Sequence, residues 1–226
     1  MKKIGLIGGT SWHSTIVYYR LINEMVGREI GNQANPELLI YSLNVELMRE
    51  HNIEKINKKY LEIAQTLQTA GARAIVICAN TPHLVYDFVQ PQINIPILHI
   101  ADAIGEEAKK HGLSKLGLLG TLPTMKGAFL SFRLKDNFGI ETVIPDNEHL
   151  QQNHEYIAEE LTKGIFSEEA KAFYVAQMNL LKDKGAEGII LGCTELPMLL
   201  DQNDFDLPLI DTTLLHAQMA ADFILR

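Results

Sequence analysis

The residue in this chain best suited to chemistry is a cysteine at the end of an apolar run. Cys193 follows GIILG and precedes Thr194-Glu195-Leu196-Pro197, which reads as a helix start. A thiol there would feel the unpaired amides of a helix N-terminus. That lowers its pKa and prepares it for proton transfer or nucleophilic attack. The second cysteine, Cys78, ends the run AIVIC and reads as core, the common fate of a free thiol. Two donor-rich loops, Gly8-Gly9-Thr10-Ser11 and Gly120-Thr121-Leu122-Pro123-Thr124, can aim amides and hydroxyls at a carboxylate. The same hydroxyls also serve as ordinary helix caps. Neither loop carries the further glycine of a dinucleotide turn and no GxxxxGK(S/T) occurs, so NAD and ATP are not expected.

These residues need strands that end beside them. Short apolar runs alternate with longer helical stretches along the whole chain. The runs Ile4–Ile7, Glu37–Leu43, Ala74–Cys78, Pro96–Ile100, Lys115–Leu119, Thr142–Ile144, Gly188–Leu191 and Leu207–Ile210 read as strands. Helices are expected over Ser14–Val26, Ile53–Ala70, Ala101–His111, Lys126–Asn137, Glu155–Lys163 and Glu168–Lys184, and from Thr212 onward. Ile56, Tyr60, Ile63 and Leu67 form one stripe of the second of these. Strands that are apolar throughout, rather than alternating, imply parallel sheets covered on both faces, an α/β architecture.

The chain also resembles itself. KIGLIGGT (Lys3–Thr10) echoes KLGLLGT (Lys115–Thr121), AGARAIVICANT echoes KGAEGIILGCTE, and IPILH echoes LPLID. The offsets are 112 to 114 residues, half of a 226-residue chain. Ordered matches at a fixed offset predict two pseudo-symmetric lobes, residues 1–102 with 211–226 and residues 103–210. Ligands of such sheets sit beyond the carboxyl ends of the strands. The expected site is therefore a cleft between the lobes, with Cys78-Ala79-Asn80-Thr81 facing Gly192-Cys193-Thr194-Glu195. In that register Cys193 pairs with Ala79, not with Cys78.

Composition narrows the function class. With 20 Lys+Arg against 28 Asp+Glu the net charge is −8, the wrong balance for a nucleic-acid surface. Two cysteines without a CxxC or a His/Cys cluster predict neither a disulfide framework nor a metal site. No signal peptide or bilayer-length apolar run is present in the sequence, so a cytoplasmic protein without a membrane partner is expected.

GLIGGTSWHSTIVYYR, CANTPH at Cys78–His83, LHIADA at Leu98–Ala103, LLGTLPTM at Leu118–Met125 and GCTELP at Gly192–Pro197 together resemble the aspartate/glutamate racemase family, over the whole chain. The resemblance implies two α/β lobes, amino-acid racemisation without pyridoxal phosphate or any other cofactor, and a homodimer. In that family two cysteines flank the substrate Cα, one removing the proton and the other returning it to the opposite face. The chemistry demands this, because an amino-acid α-hydrogen is very weakly acidic and inversion needs a proton source on each side. Cys193 matches the second cysteine. Asn80 and Thr81, with Thr194 and Glu195, match positions that hold the α-carboxylate and ammonium, and Thr10, Thr121 and Thr124 match loops around the substrate. Asn52 lies where some relatives contact the ligand. Arg49 and Lys163 are candidates for clamping a distal carboxylate, with solvated helix charges as the plainer reading.

The first catalytic position is Ala79, which neither donates nor accepts a proton. Cys78 is one residue away, and a one-residue step along a strand turns a side chain to the other face. Three readings follow: a racemase with Cys193 on one face and an unconventional donor on the other, a one-cysteine decarboxylase, or a non-catalytic binder of an amino acid or dicarboxylate. His83 and His99 sit next to the expected cleft and could orient its residues. Trp12, the single tryptophan, reads as a lid or an interface anchor.

Overall fold

The computed structural model describes residues 1–31 and 34–226. They divide into two compact units, Met1–His99 with His216–Arg226, and Ile100–Leu215. In the first unit β1 (Ile4–Gly8), β2 (Leu38–Ser42), β3 (Ile75–Ile77) and β4 (Ile97–Leu98) form a parallel sheet in the order β2-β1-β3-β4. In the second, β5 (Lys115–Gly120), β6 (Glu141–Val143), β7 (Gly188–Gly192) and β8 (Leu209–Asp211) form another in the order β6-β5-β7-β8. The internal repeat is thus structural. The strand order recurs, and so does the register: Ile7 lies opposite Ile77 as Leu119 lies opposite Leu191.

Each sheet is covered on both faces, as its apolar runs require. In the first unit the stripe Ile56, Tyr60, Ile63 and Leu67 of the helix Ile53–Thr69 packs with Ile7, Ile75 and Ile77. The other face joins Ile4, Leu6, Val76 and Cys78 to Tyr18, Ile22 and Val26 of the helix Trp12–Ile30 and to Ala217, Ala220 and Ile224 of the helix Thr212–Leu225. In the second unit Leu119, Ile189 and Leu191 pack with Tyr174, Met178 and Leu181 of the helix Glu168–Asp183. Leu116, Leu118 and Ile190 pack with Ile104 and Ala108 of the helix Ile100–Lys110 and with Leu130 and Leu134 of the helix Ala128–Phe138. Each fully buried Ile or Leu contributes about 1.5–3 kcal/mol.

The β4 edge of the first sheet and the β8 edge of the second are each closed by a glutamine. Gln90 Nε2 donates to the Ile95 carbonyl at 3.1 Å while its Oε1 accepts the Ile97 amide at 2.7 Å. Gln202 does the same to Leu207 and Leu209, both at 2.9 Å. These side chains satisfy edge-strand groups that would otherwise invite another strand.

Element boundaries differ from the sequence reading where polarity hides the pattern. Pro96–Ile100 shortens to Ile97–Leu98, because Ile100 already opens the next helix. The helix expected over Glu155–Lys163 begins earlier: Asn147–Glu155 is α-helical, Tyr156–Glu160 is π-helical, and a 3₁₀ turn closes Leu161–Lys163. Within NEHLQQNHE the buried residues are Leu150 and Asn153, too few to show a stripe. Among the described residues no helix is long and apolar enough to cross a membrane.

Candidate active site

β7 delivers Cys193 from the middle of the second sheet. Gly192 lets β5 and β7 approach closely, since a Cβ there would lie 2.7 Å from the Leu119 carbonyl oxygen. The chain then turns through Cys193 and Thr194 into Glu195, which is buried. Cys193 Sγ donates to Glu195 Oε2 at 2.8 Å, and Thr194 Oγ1 donates to the same oxygen at 2.8 Å. Three candidate residues therefore meet at one carboxylate oxygen.

This geometry reverses the expected electrostatics. The helix after Cys193 is a single short turn, Leu196–Leu199. Burial pushes the Cys193 thiol well above its ordinary value, the Glu195 carboxylate pushes it further, and the backbone of Thr194 and Glu195 opposes both more weakly. These causes favour the thiol form of the half-buried Cys193 over a thiolate lowered by a helix.

Gly120 pairs with Gly192, so Thr121 leaves the adjacent strand alongside Cys193. The Thr121 and Thr124 hydroxyls are 3.0 Å apart, Thr124 is fully buried, and the Thr121 carbonyl accepts the Thr124 and Met125 amides. The Leu122 amide faces His154 Nδ1 at 3.5 Å. The buried phenol of Tyr174 donates to the Asn153 carbonyl at 2.7 Å, and burial, with Cys193 as a smaller cause, drives its pKa up.

In the first unit β1 and β3 are neighbours, so Gly9-Thr10 and Ala79-Asn80-Thr81 leave the same end of the sheet. Gly9 adopts φ +90°, and a Cβ would come within 2.1 Å of the Leu43 carbonyl oxygen, so the turn accepts glycine alone without rearrangement. Thr10 Oγ1 and the buried Tyr60 hydroxyl are 2.9 Å apart. Ser11 caps the following helix through the Ser14 amide, and Thr15 Oγ1 accepts the Gly9 amide at 3.0 Å. Cys78 points into the core on the Tyr18 face, and burial raises its thiol pKa strongly. Ala79 is half-buried and Asn80 is buried, and His83 Nδ1 lies 3.0 Å from the Ala79 carbonyl oxygen.

Three candidates have surface roles. Asn52 is exposed, and its Oδ1 accepts the Lys55 amide at 3.1 Å to cap the helix Ile53–Thr69. Arg49 pairs with Glu46 at 2.6 Å and Lys163 with Glu159 at 2.6 Å, all four side chains exposed. Tyr60, Tyr174 and His216 were not legible as parts of these turns, because their partners lie 50 residues away or are assembled by helix packing. Among the described residues no group of three or more His, Cys, Asp or Glu side chains could hold a metal ion.

Residues 7–220 match the family model for Asp/Glu/hydantoin racemases. The chain belongs to that family. A candidate Asp/Glu racemase from Yersinia pestis is 39% identical with a TM-score of 0.95, and an aspartate racemase homologue from Pyrococcus horikoshii is 37% identical with a TM-score of 0.88; each comparison covers all of both chains. The broad-specificity amino-acid racemase RacX of Bacillus subtilis is 26% identical over 93% of this chain and 92% of its own length. The two four-stranded parallel sheets described above are the architecture shared with these racemase structures.

Proposed function

We propose that the protein is an amino-acid racemase of the aspartate/glutamate type that works without pyridoxal phosphate and uses Cys193 for proton transfer. The observation that carries this reading is the Cys193–Glu195 contact at 2.8 Å, at the carboxyl end of β7 in a racemase-family chain. A neutral thiol is the right form to protonate a carbanion. When Cys193 must act as a base, Glu195 Oε2 accepts its proton and leaves the thiolate to take hydrogen from Cα. In the second unit, backbone amides and the hydroxyls of Thr121 and Thr194, next to Cys193 at the strand ends, would hold the substrate carboxylate. Such donors lower the carbanion's energy.

The family resemblance gives Ala79 the place of the first catalytic cysteine, and on that assignment the two faces of Cα are unequal. The proton on its side must come from water, so exchange at Cys193 outpaces inversion. The test is incubation with L- or D-aspartate, glutamate and other amino acids in deuterated water. The expected result is deuterium at Cα of one enantiomer faster than the other enantiomer accumulates, abolished by Cys193→Ala. No exchange from any amino acid would sink the racemase reading. Release of carbon dioxide from a substituted malonate would support the decarboxylase, and saturable binding without exchange would support the binder.

A cytoplasmic homodimer belongs to this reading. Trp12, Ile16 and Tyr19 recur at helical spacing and are 60%, 55% and 46% exposed, an apolar stripe that a second copy would cover. Trp12→Glu should lower the solution mass to that of a monomer by light scattering. A monomeric parent protein would refute this part.

A further inference from the structure

Of the eight histidines, His83, His99 and His216 are buried to 1% exposure or less and lie together in the first unit. The His83 ring centroid is 4.7 Å from that of His99 and 5.3 Å from that of His216. Tyr86 meets His99 edge-on at 4.9 Å, and Tyr18 meets His216 at 5.5 Å. Proton transfer through Cys193 and Glu195 uses none of them. Burying several imidazoles is costly unless their polar atoms are used.

Their partners define which nitrogens carry hydrogen. A carbonyl oxygen can only accept, so His83 Nδ1 donates, to Ala79 at 3.0 Å and Asn80 at 3.1 Å. His216 Nε2 likewise donates to the Leu98 carbonyl at 2.8 Å. In the neutral ring its Nδ1 then accepts from the Tyr18 hydroxyl, 2.9 Å away. Burial lowers the His83 pKa to about 3, and the neighbouring His216 contributes in the same direction. Both causes favour the neutral ring, whose Nδ1 faces the Ala79 and Asn80 carbonyls, while those carbonyls and that of Leu98 pull the other way.

The carbonyls so held sit where β3 and β4 end side by side. We propose that His83 and His216 are positioning residues that hold the Ala79–Thr81 turn and the end of β4 in one geometry, with Tyr18 orienting His216. This rests on the racemase reading, in which that turn presents Asn80 and Thr81 to the substrate. The Ala79 side chain offers no acid or base, so the turn contributes placement alone. Placement is sensitive: a shift of about 1 Å can cost roughly 10²-fold in rate. His83 holds the turn directly, and His216 from the C-terminal helix holds the end of β4.

Three variants test this. His83→Leu keeps bulk and removes the donor, His83→Asn returns an amide N–H near the Nδ1 position, and Tyr18→Phe removes one hydroxyl. With an exchanging amino acid, His83→Leu should lower kcat roughly 10- to 100-fold, more than it raises KM, and His83→Asn should recover most of the loss. Tyr18→Phe should act in the same direction but less. Amide hydrogen exchange is the second readout and needs no substrate. Residues 78–84 should exchange at least about tenfold faster in His83→Leu, be restored in His83→Asn, and leave β5 and β7 unchanged. Equal impairment of the Asn and Leu variants, or unchanged amide exchange in His83→Leu, would overturn the proposal. A wild-type protein that exchanges no amino acid would refute the racemase reading alone, because amide exchange would still decide the positioning. If His83→Leu does not fold, an unchanged turn in Tyr18→Phe would overturn the His216 arm.

Discussion

Lowering the pH from 8 to 5 should destabilise the fold through one buried ring, His83. Unfolded, its imidazole takes up a proton near its ordinary value of 6.5; folded, burial postpones this to about 3. Between those values the unfolded chain binds more protons, so stability falls as pH falls. The contribution is intact above about pH 6.5 and is lost at about 1.4 kcal/mol per pH unit below it. At pH 5, a unit and a half below the ordinary value, the loss is about 2 kcal/mol. Urea unfolding followed by far-UV circular dichroism at both pH values measures it. His83→Asn retains a donor and cannot titrate, so its stability should fall by about 2 kcal/mol less than wild type over the same interval. Surface carboxylates are common to both proteins and cancel in the comparison. Equal pH dependence of the two would refute the argument, since His83 would then be protonated as readily folded as unfolded.

Other expected outcomes concern the thiol and the sheet edges. Glu195→Gln removes a charge that raises the Cys193 pKa, so iodoacetamide should alkylate Cys193 faster at pH 8. The same variant loses its proton acceptor, and α-hydrogen exchange should drop roughly 10²-fold or more. Slower alkylation would contradict the assigned electrostatics. Ala79→Cys supplies the missing acid–base group and should raise the ratio of inversion to deuterium exchange, read by chiral chromatography with mass detection. Gln90→Ala removes two hydrogen bonds and Gln202→Ala three at the start of an edge strand, and each should cost about 1–2 kcal/mol in chemical denaturation.

Much of the fold was legible because its signal is local. All eight strands were visible as apolar runs, and three ordered echoes about 113 residues apart announced a repeat that the sheets reproduce in order and register. The polar helix Asn147–Glu155 is not legible, since two buried residues in nine leave no periodicity to read. The direction of one strand-end side chain was legible as well: Cys78 turns into the core, as a period of two along β3 requires. The roles of Gln90 and Gln202 are not legible in sequence, because a glutamine that closes a sheet edge looks like any surface glutamine.

By itself, then, the sequence determined the α/β class, the two-lobe repeat, the family, and the absence of an acid–base side chain at position 79. These follow from residue identity and short-range pattern, which survive in one dimension. Tertiary structure decided the hydrogen-bond partners and the direction in which burial and neighbours shift each pKa. Whether Cys193 is thiol or thiolate depends on how deeply it is buried and on a carboxylate oxygen 2.8 Å away, neither of which spacing reveals. Tyr18 and His216 are 198 residues apart in the chain and 2.9 Å apart in space. Electrostatic and hydrogen-bond energies fall off over a few ångströms, so they belong to the fold, not to the order of the residues.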